Sequence, residues 1–145
     1  MMASLMKKVN PVWALRAGLG AMYLYSGYDI VKHPTAWYWA LRALPQSTQG
    51  IINNHLGIDN YLIAQGTGEL LFALILFAWF VPKRFVKWVA ALTAAEMFLI
   101  LVLVGVDSIT FRDVGLLGAA VALFLLLKDD KPAYSSVNSL QNGTR

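Results

Sequence analysis

Two apolar stretches separated by a three-residue basic turn constrain this chain more than any other feature. Residues 62–81 read LIAQGTGELLFALILFAWFV and residues 85–106 read FVKWVAALTAAEMFLILVLVGV, with Pro82, Lys83 and Arg84 between them. Each stretch is about 20 residues, or roughly 30 Å as a helix, enough to cross the hydrocarbon core of a bilayer. Each also carries one carboxylic acid well inside its ends, Glu69 in the first and Glu96 in the second. An ionised carboxylate at the bilayer centre costs at least about 2.5–3.5 kcal/mol. A partner, a proton or water must therefore reach these acids.

Composition supports the membrane reading. Of 145 residues, 58% are hydrophobic and 14% charged, whereas an average soluble domain has roughly 25% charged residues. The apolar residues fall in blocks of helix length. The net charge of +4 comes from Lys and Arg at block ends and in short loops, with no dense basic stripe, so nucleic acid is not an expected partner. There is no cysteine. That excludes a dithiol relay, an iron–sulfur cluster and a thiolate zinc site within this chain. No P-loop, GxSxG, zinc or dinucleotide-binding motif occurs either.

The expected fold is all-α, a four-transmembrane-helix bundle with short interfacial helices in its first outer loop. One integral membrane domain covers residues 1–131, with spans at about 12–31, 62–81, 85–106 and 111–127. The first stretch reads as a retained helix rather than a signal peptide, because Arg16 interrupts it and no small-residue cleavage site follows. On that helix Arg16, Gly20, Tyr23 and Gly27 share a face, and the two glycines would let a neighbour approach closely. Residues 33–60 form the long connection. The aromatic segment TAWYWALRAL (residues 35–44) and a second piece at 48–55 read as short helices, lying either on the membrane surface or as a lid over the bundle. Gly57, Asp59 and Asn60 read as a turn, and Thr110 as a cap for the last helix. Residues 132–145 read as a polar, disordered cytoplasmic tail with a sequon at Asn142.

Orientation follows from the basic residues. Lys7, Lys8, Lys83, Arg84, Lys87, Lys128 and Lys131 fall on one side, which places both termini in the cytoplasm and the aromatic loop outside. At 1.5 Å per residue, Glu69 then lies roughly 10 Å and Glu96 roughly 15 Å below the outer edge, and Arg16 roughly 6 Å above the inner one. Arg16 could reach toward Glu96 and Arg112 toward Glu69. Two readings stay open. In one, these pairs only fix helix register. In the other, Glu69 and Glu96 line an outward-facing pocket for a proton, a cation or a polar headgroup, enlarged by Gln65 and Thr93 and bounded by Arg16, Arg112 and Asp113. His33 and His55 both lie in the outer connection, so neither a haem nor a metal site is expected within the helices. Tyr23, Tyr25 and Tyr28 read as packing and interfacial residues.

Three segments resemble the DoxX family of small membrane proteins: LRAGLGAMYLYSGYDIVKHP at 15–34, GTGELLFALILF at 66–77 and FRDVGLLGAAVALFLLL at 111–127. The matching positions are Arg16, Gly20, Gly27, Glu69, Arg112 and Asp113. The resemblance implies a four-helix bundle in the cell membrane that serves a redox or quinone-linked complex as a non-catalytic accessory subunit, with oxidoreductase partners. Quinone or lipid is the ligand class it would suggest, and homo-oligomers are compatible with it. Two other functions are compatible with the residues: a small proton-coupled or cation transporter or channel built on Glu69 and Glu96, and a membrane chaperone or cargo-binding protein. No catalytic residue is expected.

Overall fold

The computed structural model describes residues 10–107 and 110–127. Lys7, Lys8, Lys128 and Lys131, which contribute to the orientation, lie outside the described residues, as do the tail 132–145 and its sequon. The described chain is all-helical.

Helix α1 (Pro11–Lys32) begins where Asn10 Oδ1 accepts the Val12 N–H at 3.0 Å and Pro11 occupies the first turn. Both features satisfy a helix start that would otherwise leave donors unpaired. It stops two residues before Pro34, whose ring excludes the helical conformation at the preceding residue. A 3₁₀ turn (Pro34–Trp37) runs into α2 (Tyr38–Arg42), and α3 (Gln46–His55) completes the connection.

The long helices differ from expectation at their ends. Helix α4 spans Ile58–Phe77 rather than 62–81. Gly57 sits at φ +74° and turns the chain into the helix, so the expected 57–60 turn is instead the helix start. Asp59 there lies in the first turn, where a negative charge suits the helix dipole. Helix α5 spans Lys83–Leu103 rather than 85–106. It starts directly after Pro82 and ends before Gly105, which takes φ +88°. Helix α6 covers Phe111–Leu126. Thr110 precedes it without the expected side-chain cap. Its hydroxyl turns back to donate to Gly105 O at 2.7 Å and to accept from the Asp107 N–H at 2.8 Å, closing the loop instead.

Sequence neighbours are not the packing partners. Helix α4 packs most extensively on α1 and α5 on α6, while α4 and α5 barely touch. The α1–α4 contact is backbone on backbone. A Cβ at Gly27 would stand 2.7 Å from Gly66 O, and one at Gly66 would stand 2.9 Å from Gly27 O. Gly20 receives the Phe77 ring in the same way, at 3.0 Å. The expected close approach along the Gly20/Gly27 face is present, and α4 is the neighbour. Leu19, Tyr23, Ala73, Leu76, Val86, Val89, Ala90, Ala120 and Leu123 form the main core. Ile30, Leu41, Ile52 and Leu62 form a second one beneath the connection.

Beside its apolar core the bundle buries several polar side chains and exposes many large apolar ones. Arg16, Glu69, Thr93, Thr110 and Asp113 are buried, while Leu74, Trp79, Trp88, Phe98 and Val102 are exposed. Two helices, α4 and α5, are long and apolar enough to cross a membrane. Helix α6 has 16 residues, about 24 Å at 1.5 Å per residue. Helix α1 is long enough but diluted by Arg16, Asp29 and its glycines.

Gly27→Ala and Gly66→Ala should each force α1 from α4 and cost about 1–3 kcal/mol. Gly18→Ala, which meets nothing within 4 Å, should leave stability unchanged or raise it slightly. Thermal unfolding in detergent checks the contrast, and equal effects at Gly18 and Gly27 would contradict the close contact.

Candidate functional site

At the connection end of the bundle, α1, α4, α5, α6 and the aromatic segment surround a cavity of about 760 Å³. That size falls within the range of small-molecule sites, roughly 300–1,000 Å³. Glu69 and Glu96 both line it, as do Gln65, Arg112 and Asp113. Five of the seven residues picked out in the sequence are thus brought together. Arg16 and Thr93 are not among the lining residues.

Glu69 points from α4 toward α1 and is buried. Its carboxylate accepts from the Ser26 hydroxyl and, at 3.4 Å, from the Gln65 side-chain amide one turn earlier. Ser26 adjoins Gly27, so the glycine contact that draws the helices together also delivers this hydroxyl. Across the cavity Glu96 accepts from the Tyr23 hydroxyl at 2.7 Å. Tyr23 is also 3.0 Å from Thr93 Oγ1, and Thr93 donates to Val89 O at 2.8 Å. Thr93 therefore lies under the cavity as the base of a hydrogen-bonded chain and does not enlarge the pocket.

That chain can serve two protonation states of Glu96. Thr93 uses its hydrogen on Val89 O, so toward Tyr23 it can only accept. Tyr23 has one hydrogen and two acceptors in reach. With Glu96 ionised, the hydrogen goes to the carboxylate. With Glu96 protonated, the acid donates to the Tyr23 oxygen and Tyr23 donates to Thr93. Neither state leaves a buried donor unpaired.

The expected charge pairs are not formed. Arg16 reaches the end of α4 and not Glu96. Its Nε donates to Leu76 O at 2.8 Å, and its Nη2 donates to Ala78 O at 2.7 Å and Ile75 O at 3.3 Å. The carbonyls of a final helical turn lack intrahelical partners and carry the negative end of the dipole, so a guanidinium fork satisfies them well. Trp13 covers the other side of the group, with its ring centroid 4.1 Å away. Arg112 is exposed and 3.7 Å from Asp113, its sequence neighbour, rather than paired with Glu69. Among the described residues neither Glu69 nor Glu96 forms an ion pair with Lys or Arg.

The aromatic segment is a lid over this end of the bundle. Trp37, Trp39, Leu41 and Leu44 face the cavity. Trp37 Nε1 donates to Asp29 at 2.8 Å, and Tyr38 donates to Asp59, so two carboxylates hold the lid by aromatic donors. The Asp59 contact pushes the Tyr38 phenol above its ordinary range, because it holds the proton. Ser26 and Tyr23 were missed as site residues. Tyr23 had a signal in the face it shares with Arg16 and Gly27, which read as packing alone, whereas Ser26 had none.

Arg16→Leu should release the three α4 carbonyls and cost more than the roughly 1.5–3 kcal/mol of a charge-assisted bond, with Arg16→Lys recovering only part. Thermal unfolding in detergent measures both, and full recovery by Lys would contradict the fork. No protein family model, curated protein or solved structure matches the chain.

Proposed function

We propose that the chain is a four-span integral membrane protein of the cell membrane, with both termini cytoplasmic, that exchanges a small solute against protons in the cavity beneath its lid. Helices α1, α4, α5 and α6 are the spans in this reading. The exposed apolar surface supports it, because Leu74, Trp88, Phe98 and Val102 suit hydrocarbon and are costly to leave in water. The exposed pair Trp79–Phe80 beside the basic turn suits an interfacial level.

One observation carries the functional part. Two carboxylates, Glu69 and Glu96, face one cavity with only hydroxyl and amide partners. Ionisable groups at membrane depth are costly and mark ion or substrate pathways. If they served only to hold helix register, arginine would be their expected partner, yet Arg16 is engaged by backbone. The Tyr23–Thr93 chain adds a means of loading and unloading Glu96 without orphaning a donor.

In vesicles holding the purified protein and an internal pH dye, a panel of small aromatic solutes should elicit proton movement beyond that of protein-free vesicles. Glu69→Gln and Glu96→Gln should each lower it by about tenfold or more, the scale of a lost buried charge contact. Undiminished flux in both variants would reject the reading, as would a stoichiometric oxidoreductase partner and no flux.

A further inference from the structure

The lining of the cavity is specific enough to name a ligand class. Besides Glu69 and Glu96 it includes Asp29 and Asp113, against the single cation Arg112. Arg112 lies beside Asp113, so the inner acids have no cation of their own. Low-dielectric walls around charges of one sign focus their field on the enclosed space. An anionic ligand would meet that field with only Arg112, already beside Asp113, to receive it.

The rest of the lining is mostly apolar, with aliphatic side chains such as Leu41, Met97 and Ile100 beside a group of aromatic ones. Tyr25, Trp37, Trp39 and Tyr61 contribute rings from three different segments. Trp37 and Trp39 stack, with centroids 6.0 Å apart and planes 27° from parallel. Asp29 holds the Trp37 N–H, which fixes the orientation of that ring. Aromatic faces attract cations, and more strongly where water is excluded. They also pack against apolar ligand surface. A hydrated inorganic ion would use neither property. Among the described residues, no group of three His, Cys, Asp or Glu side chains could hold a metal ion.

We infer that the cavity binds an aromatic organic monocation, a primary or substituted ammonium whose charge lies between Glu69 and Glu96 and whose apolar body lies under Trp37 and Trp39. The inference rests on the pocket reading above and specifies its solute. It assigns each acid a distinct place. Glu69, braced by Ser26 and Gln65, meets the charge from α4, and Glu96, joined to Tyr23, meets it from α5.

Calorimetric titration of the full chain in detergent at near-neutral pH separates the possibilities with three probes of one shape: phenethylammonium, phenylethyl alcohol and phenylacetate. The cation should bind about tenfold or more tightly than the alcohol, and the anion least. Glu69→Gln and Glu96→Gln should each reduce that preference while alcohol binding persists, which also shows that the variants are folded. Ala40→Trp, which fills the cavity from the lid, should remove binding of all probes. If the alcohol or the anion binds as well as the cation, or the preference survives both Gln variants, the ligand class is wrong and the pocket stands. If no probe binds, or Ala40→Trp changes nothing, both the class and the pocket reading fall.

Discussion

The contact of Gly27 with Gly66 is the constraint on which the site depends. Each glycine faces the other's carbonyl at a distance that leaves no room for a methyl group. With the backbones that close, Ser26 reaches Glu69 from one helix to the other. On the same face of α1, Tyr23 crosses to Glu96 on α5. A wider helix pair would leave Glu69 with Gln65 of its own helix and without Ser26. The glycines thus act on the chemistry of the site without touching its cavity.

Arg16 acts at the opposite end of the same helix pair. The fork closes the end of α4, where it reaches the carbonyls of Ile75, Leu76 and Ala78. An arginine buried among apolar side chains needs acceptors, and the end of a helix offers several in one place. The carbonyls are available whatever the protonation of Glu96, so the staple does not depend on the state of the site. Positive charge kept away from the acids is what leaves them open to an incoming one.

Much of this was legible in the sequence. The blocks at 62–81 and 85–106 revealed two long helices, and the spacing of Gly20 and Gly27 revealed a face meant for close packing. The structure brings the acids, Gln65, Arg112 and Asp113 to one cavity and leaves Arg16 and Thr93 out of its lining. What the spacing of charges could not supply was the choice of partner. Depth along a helix says how near Arg16 could come to Glu96, but not that α4 ends within its reach. The helix ends were displaced because Gly57 and Gly105 take positive φ, and composition treats such glycines as loop interior. Thr110 looked like a cap because a hydroxyl before a helix usually is one. Here the Asp107 N–H takes the oxygen that would have capped the helix.

The pairing of α1 with α4 and of α5 with α6 has a mechanical consequence. Residues 11–77 form one half of the molecule and 83–126 the other, joined covalently through the short segment 78–82 and meeting directly mainly where α1 lies against α6. Glu69 belongs to the first half and Glu96 to the second. Tyr23 of the first half donates to Glu96 of the second, and one core is shared by both, so any change in the angle between the halves would be felt at the acids. A guest held by both carboxylates would act as a clasp across that joint, so occupancy and the angle between the halves become one variable.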